Sequence, residues 1–242
     1  MLVKEAKSYG NISTGNSKMP GTTYAIDAFA CQVGSKLALI EGTPCHTCYA
    51  RKLQKLRPSV DKGWTNNLIK AEKLIADNPM LWAKQMKFQI ERGCKKLGVY
   101  FHRWFDSGDL QSIEMLHAIV LTAQITPQIK HWLPTREAKI VKDYRKQYGL
   151  EPSNLVIRVS ATMIGDKPIT GHKNTSTVHR KGETIHGKEC LAYRTNKYFE
   201  VIAEKVFKNM TRDQKKTQDF GHCGNCRACW SNDVENISYP LH

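Results

Sequence analysis

The stretch LGVYFHRWF, residues 97–105, contains the pattern that decides the fold. This apolar and aromatic run stops at the polar loop DSGD, and a helix-like segment follows at 110–123. The same order recurs, because the apolar run 129–134 precedes the helical pattern 135–149, and a third run occupies 154–161. Strands that alternate with helices in this way predict βαβ units and a parallel sheet. The runs show little polar alternation, as expected when both faces of a sheet are covered.

The flanking segments extend this pattern. Residues 22–30 predict a first strand, and the apolar spacing over 66–92 predicts two helices, of which the second begins at Pro79. The polar stretch 166–190 is predicted to be a loop. The segment 196–210 has the spacing of an amphipathic helix.

Together these elements predict one α/β protein of 242 residues. Residues 1–165 are expected to form the α/β core with a first set of cysteines. Residues 166–242 are expected to form a cysteine-rich C-terminal extension packed on that core, so that the chain is a single compact domain.

Composition excludes several classes of protein. Hydrophobic residues make up 40% and charged residues 24% of the chain, which is typical of a globular protein rather than a disordered or fibrous one. No apolar run approaches the length of a transmembrane helix. The start, MLVKEAKSYGN, lacks the apolar stretch of a signal peptide. We therefore expect a cytoplasmic protein with no membrane association.

Seven of the eight cysteines fall into two sets. The first set is Cys31, Cys45 and Cys48, and the second is Cys190, Cys223, Cys226 and Cys229. Disulfides are rare in a reducing cytosol, so clustered cysteines there indicate metal or redox chemistry. The remaining residue, Cys94, is interpreted as a thiol near a helix end with no role in either set.

The close C-x2-C-x2-C spacing of the second set is its strongest signal. Such a run is typical of iron–sulfur clusters, whereas zinc sites favour paired C-x2-C motifs, so we predict one or two [4Fe–4S] clusters with zinc as the alternative metal. The three cysteines of the first set would leave one iron open to substrate, to a cofactor or to another ligand. The spacing also allows both sets to contribute to one composite site.

Polar clusters follow each predicted strand of the middle third. Ligands of parallel α/β folds lie at the carboxyl ends of the strands, so these clusters are candidate cofactor- or substrate-binding residues. They are Ser107, Gly108, Asp109, Arg136 and Ser160. Helix capping is the alternative role for some residues of these clusters. No catalytic residue can be assigned from the pattern.

The chain is strongly basic. It has 37 Lys and Arg against 22 Asp and Glu, a formal net charge of +15. Twelve basic and four acidic residues lie between 51 and 96, and a further basic run occupies 205–216. Such patches predict salt-dependent contact with nucleic acid, although a solvated basic surface is the alternative. No sequence signature of a named nucleic-acid-binding fold is present.

Several motifs resemble a bacteriophage family called gene product 88. The matching stretches follow one another through nearly the whole chain. They are NSKMPGTTYAIDAFAC (16–31), GTPCHTCYA (42–50), RWFDSGDLQS (103–112), WLPTRE (132–137), NLVIRVSA (154–161), TSTVH (175–179) and CGNCRACW with ISYPLH (223–242). The resemblance implies a phage protein that works in the cytoplasm of the infected host, and it implies no particular reaction.

A more distant resemblance is to radical S-adenosylmethionine enzymes, which are partial (β/α)6 barrels with a three-cysteine [4Fe–4S] cluster. The motif CHTCYA (45–50) is similar to the end of their cysteine motif, and Ser107-Gly108-Asp109 falls where they bind the methionine amine. Cys31 departs from their C-x3-C-x2-C spacing because it lies fourteen residues before Cys45. The resemblance implies a partial barrel, S-adenosylmethionine as a cofactor, an electron donor as a partner and an auxiliary cluster in the second cysteine set.

The sequence therefore supports two main hypotheses of different classes, and a third in which the chain is a zinc-stabilised interaction protein that modifies a host partner. The first is an iron–sulfur protein with a radical-SAM-like fold that performs redox or radical chemistry on a nucleic acid or nucleotide. The alternative is a non-catalytic nucleic-acid-binding protein with a structural iron–sulfur or zinc site. Whether the chain is an enzyme, and its oligomeric state, stay open.

Overall fold

The computed structural model describes residues 8–15 and 18–241. This part of the chain is a mixed α/β structure built on one eight-stranded sheet. The start of the chain, on which the predicted absence of an export signal depends, lies largely in residues 1–7, outside the described residues. Residues 16–17 and 242 also lie outside them.

The sheet is parallel except at one edge. Its strands are β1 (Ile12–Ser13), β2 (Thr22–Tyr24), β3 (Phe101–Arg103), β4 (Lys130–Thr135), β5 (Leu155–Ile164), β6 (Thr175–His179), β7 (Lys188–Glu189) and β8 (Asn236–Pro240). Their order across the sheet is β1-β2-β3-β4-β5-β6-β8-β7, and only the β1–β2 pair is antiparallel.

Eight α-helices occur in the described residues. They are α1 (Gln32–Leu37), α2 (Tyr49–Leu56), α3 (Pro58–Asp77), α4 (Pro79–Leu97), α5 (Ile113–Gln124), α6 (Ala138–Tyr148), α7 (Glu204–Asn209) and α8 (Arg212–Gln218). Pro79 begins α4, as predicted, and the Asn78 side chain caps it by accepting from Leu81 N at 2.9 Å.

Strands β2 to β6 lie side by side in chain order. Parallel neighbours need a crossover connection, which α5 supplies between β3 and β4 and α6 between β4 and β5. In the part of the chain that the structure describes, no pairing joins the edge strands β1 and β7, so the sheet is open. Its parallel strands end at one common edge, where the residues between strands and helices converge.

The main core lies between the sheet and the helices. Tyr24, Trp82 and Trp104 form its aromatic centre, with ring centroids about 6 Å apart and hardly any exposed surface. Such aromatic contacts add to the free energy gained by burying the rings. His102 and His131, paired across β3 and β4, are fully buried near Trp104.

The opposite face of the sheet is covered by the C-terminal segment. Trp230 packs edge-on against Phe101 and Trp132, with ring centroids 5.4 and 5.3 Å away. Its indole Nε1 donates to His102 O at 2.9 Å. Residues 166–242 also supply β6, β7 and β8 to the sheet, so this segment shares the sheet with the N-terminal part of the chain.

Two predicted strands are shorter than expected. The strand predicted over 22–30 ends at Tyr24, because the Asp27 carboxylate accepts from Phe29 N at 2.8 Å and turns the chain. The strand predicted over 97–105 is limited to Phe101–Arg103, since α4 continues to Leu97. Apolar content alone did not separate the end of this helix from the start of the strand.

Two expectations for the second half of the chain were wrong. The predicted loop 166–190 contains the mostly buried strand β6, whose polar side chains are satisfied across the sheet, for example by the 2.9 Å contact between Ser160 Oγ and Ser176 Oγ. The predicted helix 196–210 forms only at Glu204–Asn209. The Asn196 side chain accepts from the backbone of Tyr198 and Glu200 and folds residues before this helix into a loop.

Candidate metal centres

The first set of cysteines lines a cavity of about 160 Å³ at the carboxyl edge of the sheet. We call it the three-cysteine cavity. The residues that line it include the predicted strand-end residues as well as the cysteines. They are Ala28, Cys31, Gly34, Cys45, Cys48, Tyr49, Ala50, Arg103, Phe105, Asp106, Ser107, Gly108, Asp109, Pro134, Thr135, Arg136 and Ser160.

Short helices and one tight turn position these three cysteines. Cys31 precedes α1 and Cys48 precedes α2, each as the N-cap residue without a side-chain cap. Cys48 N donates to Cys45 O at 3.2 Å, which closes the C-x2-C turn. The buried Thr43 hydroxyl donates to Leu37 O at 2.7 Å and so ties the loop before this turn to the end of α1.

Gly34 keeps the space beside two of the sulfurs open. A methyl group at this position would lie 3.6 Å from Cys31 Sγ, 3.7 Å from Cys45 Sγ and 3.0 Å from Cys31 Cβ. Gly34 is inside a helix, where alanine is normally favoured over glycine. The glycine is therefore explained by space at the cysteines, a role that sequence reasoning missed because the spacing of Gly34 resembles that of any helical residue.

Gly108 and Asp109 join the ends of adjacent strands. Gly108 has a φ of 81°, and a Cβ there would lie 2.3 Å from Ile26 Cγ1. The buried Asp109 carboxylate accepts from Thr135 Oγ1 at 2.5 Å and from Arg136 N at 2.8 Å. Burial raises the pKa of Asp109, while these hydrogen bonds act in the opposite direction. Asp109 does not cap the next helix.

Ser112 is the N-cap of α5 instead, since its hydroxyl accepts from Met115 N at 3.1 Å. Both Asp109 oxygens are engaged in joining the loop after β3 to the end of β4. Asp109 thus orders the rim of the cavity.

Arg103 belongs to this cavity although the sequence did not single it out. Its guanidinium lies 4.8 Å from the Trp132 ring centroid and forms an ion pair with Asp106 at 2.9 Å. Arg103 occupies the middle of an apolar run, between His102 and Trp104, and a charged residue inside such a run is the signal that could have identified it.

The thiols of the cavity lie in a buried and charged environment. Burial is the main cause that raises the pKa of Cys31, and nearby Asp109 and the other two cysteines act in the same direction. Burial also raises the pKa of Cys45, and the Arg136 guanidinium opposes that effect. Without a positive partner such as a metal ion, these thiols are favoured in the neutral form.

All four cysteines of the second set line another cavity, of about 250 Å³, which we call the four-cysteine cavity. Its other walls are largely apolar. They include Leu191, Ala192, Phe199, Val201, Ala228 and Trp230. The structure therefore brings together each predicted set in a cavity of its own.

Arg158 holds the loop that carries the last cysteine. This arginine is fully buried, and its guanidinium donates to the carbonyls of Ala228 at 2.9 Å, Ser231 at 2.8 Å and Val234 at 2.8 Å. A longer bond of 3.2 Å reaches Cys229 O. These charge-assisted bonds fix the backbone on one side of the four-cysteine cavity.

Backbone bonds and burial define the remaining environment of these thiols. Cys226 N donates to Cys223 O at 3.0 Å, and Cys190 N donates to Ser238 O on β8 at 2.9 Å. Burial raises the pKa of Cys223 to about 11 and that of Cys229 to about 12. Cys229 Sγ also lies 3.3 Å from the hydroxyl of Tyr239.

Cys94 lies in neither cavity. It is fully buried on α4, where its sulfur lies 3.6 Å from Phe101 O and 3.8 Å from the Thr22 hydroxyl. Across residues 8–15 and 18–241, no group of three or more His, Cys, Asp or Glu side chains is arranged as a metal site.

The family profile described as Gene product 88 matches residues 6–232. This range covers most of the chain and includes all seven cysteines of the two cavities. The chain belongs to the Gene product 88 family. No curated protein and no solved structure matches it. The more distant resemblance to radical S-adenosylmethionine enzymes stays a prediction.

The basic segments of this Gene product 88 chain lie on its helices. Residues 51–96 cover α2, α3 and α4, and most of their Lys and Arg side chains are exposed. Residues 205–216 belong to α7, α8 and their connection, where Lys208 pairs with Glu204. Among the helices of the described residues, none is both long and apolar enough to cross a membrane.

Proposed function

We propose that this Gene product 88 protein is an iron–sulfur protein with two separate centres. One observation carries the proposal: seven cysteines, distant in sequence, line two distinct cavities of the folded chain. Cysteine is a rare residue, and two such groupings in one chain are difficult to explain by packing alone. Thiolates are the ligands that iron–sulfur clusters prefer.

The four-cysteine cavity fits a complete ligand set. Four thiolates saturate either a [4Fe–4S] cluster or a zinc ion. Zinc would draw all four sulfurs to about 2.3 Å from one ion, whereas each thiolate of a cubane binds a different iron and the sulfurs lie further apart. The C-x2-C-x2-C spacing of Cys223, Cys226 and Cys229 supports a cluster over zinc.

The three-cysteine cavity fits a centre with one open position. Three thiolates leave one iron of a [4Fe–4S] cluster without a cysteine, and the space kept by Gly34 adjoins two of the sulfurs. The carboxyl ends of parallel strands are where such folds perform chemistry. We therefore assign redox or radical chemistry to this cavity, with Ser107, Gly108, Asp109, Arg136 and Ser160 as its binding residues.

The finer fold that we propose is a partial (β/α) barrel of the radical-SAM type. Its support is the sequential order of β2 to β6, since a sheet wound in one direction has all its strand ends at one opening. S-adenosylmethionine is a candidate cofactor on this basis, and a one-electron donor is then a required partner. The cavity volume of about 160 Å³ leaves little room for a nucleoside beside a cluster.

The exposed basic helices support nucleic acid as the substrate class. A net charge of +15 attracts phosphates, and the resulting affinity falls steeply with salt. In a phage family, action on nucleic acid in the host cytoplasm is consistent with this charge.

Metal analysis of anaerobically purified protein tests the proposal. We expect iron and acid-labile sulfide in equal amounts, broad visible absorption, and paramagnetic signals on reduction. Zinc with no iron in such a sample, or no metal, would contradict it.

The alternative is a non-catalytic nucleic-acid-binding protein with structural centres. One observation favours it: both carboxylates at the rim of the three-cysteine cavity are engaged, Asp106 by Arg103 and Asp109 by the backbone and Thr135. Detection of 5′-deoxyadenosine from reduced protein with S-adenosylmethionine would exclude this alternative. Salt-dependent binding of DNA or RNA without that product would favour it.

A further inference from the structure

Three buried polar atoms of residues lining the three-cysteine cavity have no hydrogen-bond partner within the described residues. Ser107, which is 3% exposed, has a buried hydroxyl with no hydrogen bond in the described residues. Buried Nε atoms of Arg103 and Arg136 are also without an acceptor in the described part of the chain. All three residues line the same cavity. Buried polar groups are rarely left unsatisfied in folded proteins, so three at one cavity point to a missing ligand.

The chemistry of these groups selects the ligand. Guanidinium N–H groups only donate, and a serine hydroxyl can donate as well. Three donors without an acceptor are complementary to an oxyanion, and guanidinium groups bind carboxylate and phosphate with particular strength. A cation or a neutral acceptor-poor group would leave the same donors unsatisfied.

The charges around the cavity agree with this assignment. Arg103 has Asp106 as its carboxylate partner, at 2.9 Å. Arg136 forms no ion pair within 8–15 and 18–241, and the nearby Asp109 oxygens accept from Thr135 and from the Leu110 and Arg136 backbone instead. The guanidinium of Arg136 thus has no carboxylate at ion-pair distance in the described residues.

The ligand must be small. Pockets for drug-sized molecules usually measure about 300–1,000 Å³, whereas this cavity measures about 160 Å³. A group of a few atoms fits such a space beside a metal centre, and the rest of a larger molecule would extend into solvent.

We propose that Ser107, Arg103 and Arg136 form an oxyanion subsite that binds the carboxylate or phosphate group of a ligand next to the three-cysteine centre. This subsite defines the class of ligand that the cavity binds. Its position beside a metal centre rests on the proposed function. Ser107 and Arg136 are positioned by the ends of β3 and β4, so the oxyanion would bridge two neighbouring strands.

Calorimetric titration of anaerobically purified protein with small probes tests this inference. Acetate, inorganic phosphate and acetamide are the probes, since acetamide has the shape of acetate without its charge. We expect heat of binding from acetate if the site recognises a carboxylate, or from inorganic phosphate if it recognises a phosphate. Acetamide should give no heat of binding. Arg136→Gln should weaken the binding about tenfold to hundredfold, because it removes a charge-assisted bond.

Matched variants distinguish a site from general basicity. Ser107→Ala should weaken binding about threefold to tenfold, and Arg136→Lys should recover part of the affinity lost in Arg136→Gln. The exposed Lys142 lies on α6, next to the site in sequence, so Lys142→Gln is the control for surface charge and should leave the affinity unchanged.

Two results would overturn the inference. One is the absence of binding by both anions, and the other is equal affinity in wild-type protein and Arg136→Gln. Arg136 would then serve as the counter-charge of the centre. Iron and sulfide are measured in every sample, so a protein that binds acetate but carries no cluster would contradict the proposed function and leave the oxyanion subsite in place.

Discussion

The two cysteine cavities differ in the kind of wall that surrounds them. The four-cysteine cavity has largely apolar walls, and buried Arg158 directs its charge at backbone carbonyls. The three-cysteine cavity has arginine, aspartate and serine residues at the ends of parallel strands, and some of their donors have no acceptor in the described residues. One set has four thiols among largely apolar walls, and the other has three thiols among polar walls.

The difference between the walls indicates different roles for the two groups of cysteines. Apolar walls and four thiols leave a centre no open position for a further ligand, which suits stability or electron transfer. Polar walls, three thiols and unsatisfied donors suit a centre that receives a ligand. We therefore propose that chemistry takes place at the three-cysteine cavity and that the four-cysteine cavity holds a stable centre.

The largest effect is expected from removing single thiols. Cys45→Ala and Cys226→Ala should each lose about half of the iron, because each removes one ligand from one of two [4Fe–4S] centres. Paramagnetic resonance of the two variants should lose different signals. Cys94→Ala is the control and should keep all the iron, since Cys94 lies in neither cavity. Loss of both signals in either variant would show that the two sets form one composite site.

Arg158→Met tests what holds the four-cysteine cavity together. The change leaves several buried carbonyls without donors, so we expect unfolding free energy to fall by about 4 kcal/mol. Urea unfolding of metal-free protein measures this. Arg180→Gln removes an exposed ion pair with Glu183 and should lower the unfolding free energy far less than Arg158→Met does. Equal losses in the two variants would contradict the role given to Arg158.

The sequence predicted which cysteines lie together better than it predicted what surrounds them. The short spacing of Cys223, Cys226 and Cys229 is a local signal, and the structure brings all three together with Cys190. Strand ends such as Ser107 could be located because apolar runs stop there. These features depend on residues that are near one another in the chain.

The missed features depend on contacts between distant segments. Arg158 interacts with residues 70 to 76 positions away, and nothing in its own strand indicates those carbonyls. Gly34 matters only because two sulfurs lie beside it. Strand β6 was overlooked because its polar side chains find partners such as Ser160 and Asn236 only after the sheet has formed.

Mild acid should lower the stability of the protein through two buried histidines of the sheet. Burial lowers the pKa of His131 from 6.5 to about 3, and burial also lowers that of its neighbour His102. The unfolded state then binds protons that the folded state does not, so stability falls as the pH drops below 6.5. At pH 5 the loss from His131 is about 2 kcal/mol.

Urea unfolding of metal-free protein at pH 7 and pH 5 measures this dependence. His131→Gln cannot take up the proton and should show a smaller difference between the two pH values, although it is less stable at pH 7. The same difference in wild-type protein and variant would mean that His131 does not contribute to the acid sensitivity. The guanidinium of Arg158 keeps its charge over this range, so the loop at the four-cysteine cavity should be less sensitive.

The smallest effect compares two glycines in helices. Gly63 lies in α3, and a methyl group added there would meet no atom within 4 Å, so Gly63→Ala should stabilise the protein by about 0.5–1 kcal/mol. Gly34→Ala gains the same helical preference but places its methyl against Cys31 and Cys45. We expect no gain in stability and reduced iron in the three-cysteine centre only. Full iron loading of Gly34→Ala, with a gain in stability equal to that of Gly63→Ala, would show that the space beside these sulfurs is not needed. That result would contradict an open position at the three-cysteine centre.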